Sequence, residues 1–237
     1  MLSSTTRSVH SDAVAIITGG GGTLARAVTE VLQADGWRVL APSHAELDVA
    51  EYAGVADWFA QQKRCDLLIN NAGVVRDHAF AKMSESDWDC VFRTNMLGTA
   101  RCARAAAHLM TQQAAMSGNL PVGGQIINIS SFSALSGPVG QSNYACAKAA
   151  ILGFTQELAR ELGPANIRVN AVLPGFLESP MTNRLPPKTR ERALAAHVLG
   201  RFTTAHETAR FIAFLATTQH LSGQIFSLDS RIHGWQG

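Results

Sequence analysis

Four consecutive glycines, Gly19 to Gly22, separate a short β-branched apolar run from a helical pattern. The run over residues 13–18 (AVAIIT) shows no polar alternation, as expected of a parallel strand buried on both faces. Behind the glycines, Leu24, Ala27, Val28, Val31 and Leu32 recur on one face of a helix expected over 23–34. This order points a helix N-terminus, with its unpaired N–H groups and positive dipole end, beyond the end of the strand. Such a place suits an anion, and glycines let the backbone approach a pyrophosphate closely. A glycine-rich turn alone leaves a merely flexible connection as the alternative.

The same alternation continues along the chain. Strands are expected over 37–41, 66–70, 125–130, 167–172 and 224–228. Helices are expected over 51–63, 86–116, 144–162 and 207–216, with a long irregular segment over 174–204. Alternating strands and helices imply a doubly wound α/β domain around a parallel sheet. Nothing resembles a linker or repeat, so we expect a polar lead-in over 1–12 and one domain over 13–237. At 46% apolar and 16% charged residues, the 237-residue chain is not disordered. A net charge of +2, with sixteen scattered Arg, gives no nucleic-acid footprint. No apolar run reaches the ~18 residues of a membrane span. The polar start lacks a signal core, and Cys65, Cys90, Cys102 and Cys146 show no paired spacing, which reads as reduced thiols in the cytoplasm. The eight His form no ligand spacing, so no metal is expected.

Tyr144 and Lys148 form YxxxK on an expected helix. Positions i and i+4 share a face, so phenol and ammonium point the same way. A nearby cation favours phenolate and lowers its pKa, making the phenol a plausible proton donor to a carbonyl. With two Tyr and four Lys in the chain, about 0.03 such pairs arise by chance. Around this pair stand Asn70-Asn71-Ala72-Gly73, Asn95 in TNMLG, Ile127-Asn128-Ile129-Ser130-Ser131, and Asn170-Ala171-Val172-Leu173-Pro174-Gly175. With Thr18, Gly19 and Gly22 of the glycine turn, in this order, they resemble the short-chain dehydrogenase/reductase family over about residues 12–229. Ala25 stands where the family's turn has its last glycine.

The resemblance implies a Rossmann-type fold of about seven strands and a role for each matching residue. Tyr144 would be the general acid, and Lys148 would lower its pKa and bond the nicotinamide ribose. Ser131 would donate to the substrate carbonyl, and Asn95 would hold a water linking Lys148 to solvent. Thr18, Gly19, Gly22, Thr23, Leu24, Asn71, Ala72 and Gly73 would line the adenosine and pyrophosphate side, with Asp48 and Val49 beside the adenine. Pro174, Gly175, Leu177 and Ser179 would contact the nicotinamide. Val74-Val75-Arg76-Asp77 and Pro174–Thr182 resemble 3-oxoacyl-thioester reductases, which implies reduction of a 3-oxoacyl thioester, as in fatty acid biosynthesis. Another small ketone, or an idle dinucleotide-binding subunit, remains the alternative. Docking of an acyl carrier protein is not supported by Gly163-Pro164-Ala165-Asn166, where carrier-docking relatives tend to be basic. The resemblance also implies a homotetramer or homodimer, built on the helices over 86–116 and 144–162.

An acid at the end of the second strand bonds the ribose 2′-hydroxyl of NAD, and its absence admits the 2′-phosphate of NADP. Val39 to His44 holds no acid before Glu46, so the sequence favours NADP, with NAD possible and with Ser43 and His44 as phosphate partners. Only about four residues separate this strand from the strand-like run over 46–49. A parallel crossover normally takes a dozen or more. We therefore expect no helix between the second and third strands, a rudimentary third strand, and modest discrimination between NADP and NAD.

Overall fold

The structure, a computed structural model, describes residues 12–117, 123–178 and 187–232. Six parallel strands form one sheet: β1 (Val14–Ile17), β2 (Arg38–Leu40), β3 (Leu67–Asn70), β4 (Gln125–Ile129), β5 (Arg168–Leu173) and β6 (Ile225–Ser227). Their spatial order is β2-β1-β3-β4-β5-β6. The helices are α1 (Thr23–Ala34), α2 (Tyr52–Ala60), α3 (Glu85–Phe92), α4 (Gly98–Ser117), α5 (Ser142–Leu162), α6 (Pro187–Ala195) and α7 (Ala205–Thr217).

Period-two alternation in β1 divides the core. Ala15 and Ile17 pack with Leu24, Val28 and Leu32 of α1 and Ile212 and Leu215 of α7. Val14 and Ile16 pack on the other face with Val55 and Phe59 of α2 and Cys102, Ala106 and Met110 of α4. Helices therefore cover both faces, which is why the central strands carry continuous apolar runs. The chain order reverses between β1 and β3, and the crevice beyond their carboxyl ends is the ligand position of open α/β sheets.

The sheet has six strands rather than about seven. Residues 46–49 pair with no strand. No helix occurs there either: Glu46 and Leu47 N–H both donate to Ser43 O, at 3.1 and 2.9 Å, closing one turn. Leu47 and Val49 are buried against the α2–α4 layer instead. The chain is too short for a crossover, so these apolar side chains fill the space beneath the helices. The expected long helix over 86–116 is divided by a π-turn, Arg93–Leu97, into α3 and α4. The segment read as irregular contains α6, which lies on a run with no apolar stripe to betray it.

Gly20 shows how tightly β2 meets the glycine turn. Its N–H donates to Pro42 O at 2.9 Å. A Cβ there would fall on the Ala41 carbonyl. Gly20→Ala is therefore expected to lower unfolding free energy by about 1–3 kcal/mol, because backbone rather than a side-chain tip must yield. Urea denaturation checks this, and an unchanged midpoint would contradict the close approach.

Candidate active site

The crevice begins where β1 and β3 end together. Thr18 Oγ1 accepts from Asn71 N and Ala72 N, both at 3.0 Å. Asn71 Nδ2 donates back to Thr18 O at 3.1 Å. Gly19 turns the chain here with φ +69°, a conformation natural to glycine, and packs on Ala72. Gly22 then precedes α1 as its N-cap, without a side-chain cap. The first N–H groups of α1, from Thr23 and Leu24 on, thus face the crevice end with no intrahelical partner.

Ser131 follows β4 and begins a short 3-10 turn, its Oγ accepting from Ser133 N at 3.2 Å. Tyr144 and Lys148 lie in the first two turns of α5, and the Ser131 side chain is near enough to the phenol to favour its ionised form. Lys148 is buried, donates from Nζ to Ile129 O at 2.8 Å, and lies 5.7 Å from the Tyr144 ring centroid. Ser131, Tyr144 and Lys148 are thus brought together at the carboxyl end of β4, as their spacing suggests.

Electrostatics departs from the sequence expectation. Burial pushes the Lys148 ammonium down to about 8. Burial also pushes the half-buried Tyr144 phenol up, against the influence of Ser131, and the Asp77 carboxylate adds to the rise. The expected lowering of Tyr144 by Lys148 is therefore absent from this arrangement. Desolvation is the largest cause of the rise, and Lys148 is not among the groups that shift the phenol.

Asn95 is fixed through both ends of its amide. Buried in the π-turn, its Oδ1 accepts from Val74 N at 2.8 Å and its Nδ2 donates to Val74 O at 2.9 Å. The side chain is a clamp on the loop after β3, and both its polar atoms are engaged. Gly73 lies under this clamp: a Cβ there would sit 3.2 Å from Asn95 Oδ1 and 3.7 Å from Lys148 Nζ.

At the end of β2, Ser43 and His44 both face carboxylates. Ser43 N and Oγ each donate to Glu46 Oε2 at 2.8 Å. His44 Nδ1 lies 3.7 Å from Asp48 Oδ1. Asp48 also accepts from Ala50 N, and Val49 turns its side chain into the core. Pro174 is buried, Gly175 has φ +82°, and Leu177 bridges to Thr203. Ser179 lies outside the described residues.

The residues present fit a dinucleotide. The uncapped start of α1, with open space beside Gly21, forms a cradle for a diphosphate. A family model described as Enoyl-(Acyl carrier protein) reductase matches residues 8–232. The chain belongs to the short-chain dehydrogenase/reductase family. It is 36% identical to 3-oxoacyl-[acyl-carrier-protein] reductase FabG of Chlamydia pneumoniae, over 86% of this chain and 80% of that one. It is 42% identical to the protein of the same description from Thermotoga maritima, over 70% of this chain but 65% of that one, so under two thirds of that relative is spanned. It is also 33% identical to (3R)-3-hydroxyacyl-CoA dehydrogenase of Rattus norvegicus, over 94% and 95%. Among the described residues, no helix is long and apolar enough to cross a membrane.

Within this family frame, the sequence missed a polar chain beside Tyr144. Gln141 Nε2 donates to Asp77 Oδ2 at 2.7 Å, and Ser133 Oγ donates to Gln141 Oε1 at 3.0 Å. Asn143 accepts from Tyr144 N and donates to Arg76 O, fixing the start of α5. Ser130 Oγ donates to Lys148 O at 2.8 Å. Only the run of polar residues before Tyr144 hinted at these links.

Lys148 yields a pH test. Its folded pKa, about 8, lies below the unfolded value near 10.5, so the folded state holds fewer protons between them. Its contribution to stability is therefore fully unfavourable below about pH 8 and is relieved as pH rises toward 10.5. Wild type is expected to gain roughly 3 kcal/mol relative to Lys148→Met between pH 7 and 10. Urea unfolding of both proteins at each pH checks this, and a constant gap would contradict it.

Proposed function

We propose that this chain is a nicotinamide-dinucleotide-dependent reductase of a ketone, taking a 3-oxoacyl thioester to its 3-hydroxyacyl form. The observation that carries this reading is the convergence of Ser131, Tyr144 and Lys148 beside a cradle suited to a diphosphate. The relatives described as 3-oxoacyl reductases and a 3-hydroxyacyl-CoA dehydrogenase support the thioester over other ketones.

A bound reduced nicotinamide would supply the hydride. Thr18, Asn71, Gly73 and the start of α1 would hold the dinucleotide, with Lys148 at its nicotinamide ribose. The Ser131 hydroxyl would donate to the substrate carbonyl oxygen and stabilise developing negative charge there. The Tyr144 O–H would pass its proton to the same oxygen as the alcohol forms. A phenol held high by burial keeps its proton until the alkoxide develops. Lys148 orients this end of the site from its anchor on Ile129 O. Asn95 positions the loop carrying Gly73.

We also place the protein in the cytoplasm, in keeping with four free thiols, and as a homotetramer or homodimer assembled through α4 and α5. Whether the site takes NADP, as the sequence favours, or NAD depends on the end of β2. There the acid that looks too distant along the chain folds back onto Ser43.

Oxidation of NADH or NADPH with acetoacetyl-CoA tests the reading. Tyr144→Phe is expected to cut kcat by at least about a thousandfold while dinucleotide affinity stays within about twofold, since only the proton donor is lost. Near-normal turnover by the variant would displace Tyr144 from this role. No turnover by wild type with any 3-oxoacyl thioester would favour another ketone or an idle subunit.

A further inference from the structure

We propose that Glu46 makes this dinucleotide site select NAD(H) over NADP(H), its carboxylate accepting from the ribose 2′-hydroxyl and opposing a 2′-phosphate. The inference rests on the dinucleotide site proposed above and specifies its ligand.

Position comes first. Gly20, in the turn that precedes α1, is pressed on the Ala41 carbonyl and bonded to Pro42 O. Ser43, the next residue, therefore stands beside the phosphate cradle at the carboxyl end of β2. In a dinucleotide-binding crevice, the ribose 2′ position is met by this strand end. An ordinary chain would run from here into a crossover helix. This one closes a single turn on Ser43 O, and that turn returns Glu46 to Ser43.

Chemistry follows. Glu46 Oε2 accepts both donors of Ser43, the backbone N–H and the hydroxyl, at 2.8 Å each. These are the donors a 2′-phosphate would need, and a carboxylate already holds them. Both hydrogen bonds keep the exposed Glu46 carboxyl below its usual range, so it is ionised at neutral pH. Oε1 has no donor among the described residues, which leaves it for a ribose hydroxyl. A phosphate monoester carries nearly two negative charges, and bringing it to this carboxylate sets like charges together.

The surrounding cations do not reverse the balance. His44 lies toward Asp48, 3.7 Å away. Arg26, in the first turn of α1, donates from Nε and Nη2 to Gly21 O at 3.1 and 2.6 Å. Arg38 begins β2 at its opposite end, paired in register with Val14. Among the described residues, Arg26 is the arginine bonded to the glycine turn and could compete for a phosphate, and the test includes it.

The experiment titrates NADH and NADPH separately into the full chain, following nicotinamide fluorescence at fixed ionic strength, without substrate. Wild type is expected to bind NADH at least tenfold more tightly than NADPH. Glu46→Gln, which keeps the shape and removes the charge, is expected to bring the two affinities within about threefold, mainly by improving NADPH. Retained NADH binding by the variant shows that it is folded. Equal or tighter NADPH binding by wild type overturns the proposal and leaves the reductase reading intact; its loss in Arg26→Ala would then assign the phosphate to Arg26. A tenfold NADH preference unchanged in Glu46→Gln overturns the assignment to Glu46. Binding of neither dinucleotide overturns the reductase reading and this proposal together.

Discussion

The Thr18 hydroxyl, accepting two backbone N–H groups from the end of β3, ties the two sides of the crevice together. Strand β1 lies between β2 and β3, and the chain order reverses at β1/β3. Without a side-chain acceptor there, the N–H groups of Asn71 and Ala72 would end β3 unpaired, at a cost of about 1–3 kcal/mol for each one buried. With it, the glycine turn is held over Ala72 and α1 starts in one direction. The return bond from Asn71 to Thr18 O closes the tie. Gly73, Val74 and the Asn95 clamp follow from it, because the loop after β3 leaves in a fixed direction.

On the other side of the crevice, one buried cation organises the chemistry. Lys148 is removed from water and answered by a neutral carbonyl, Ile129 O, rather than a carboxylate. Such a group gives up its proton more readily than an exposed lysine, hence its fall to about 8. Ser130 holds the same lysine by its backbone, so the end of β4 and the first turns of α5 move as one unit. Below them, Asn70, Asn128 and Thr155 form a buried hydrogen-bonded row across β3, β4 and α5. This row restricts the strands and the helix to one register, while Asn70 Oδ1 at its end has no partner among the described residues.

Much of the fold could be read from local pattern. The elements β1, α1, β3, β4, α5 and β5 are visible because burial on both faces demands unbroken apolar strands, and helices bear a stripe at their own period. The helix α6 escaped because Pro187–Ala195 carries few apolar residues and no stripe. The break between α3 and α4 escaped because a π-turn inserts a residue without disturbing composition. Its signal is a buried Asn95 on the apolar face, which becomes intelligible only when Val74 is seen opposite it.

Sequence alone determined the glycine turn, the Tyr144–Lys148 spacing and the absence of a helix between β2 and residues 46–49, since each depends on residues a few positions apart or on chain length. The meeting of Ser131 with Tyr144 was legible too, through motif order rather than through physics. Tertiary structure decided what Leu47, Val49, Asn95 and Glu46 do. Leu47 and Val49 look like a strand by composition, but a strand needs a neighbour, and the short connection supplies only a core to fill. Glu46 looks too distant from β2 to matter to a ribose. A hydrogen-bonded turn sets its distance in space, and sequence separation does not record how a backbone folds back on itself.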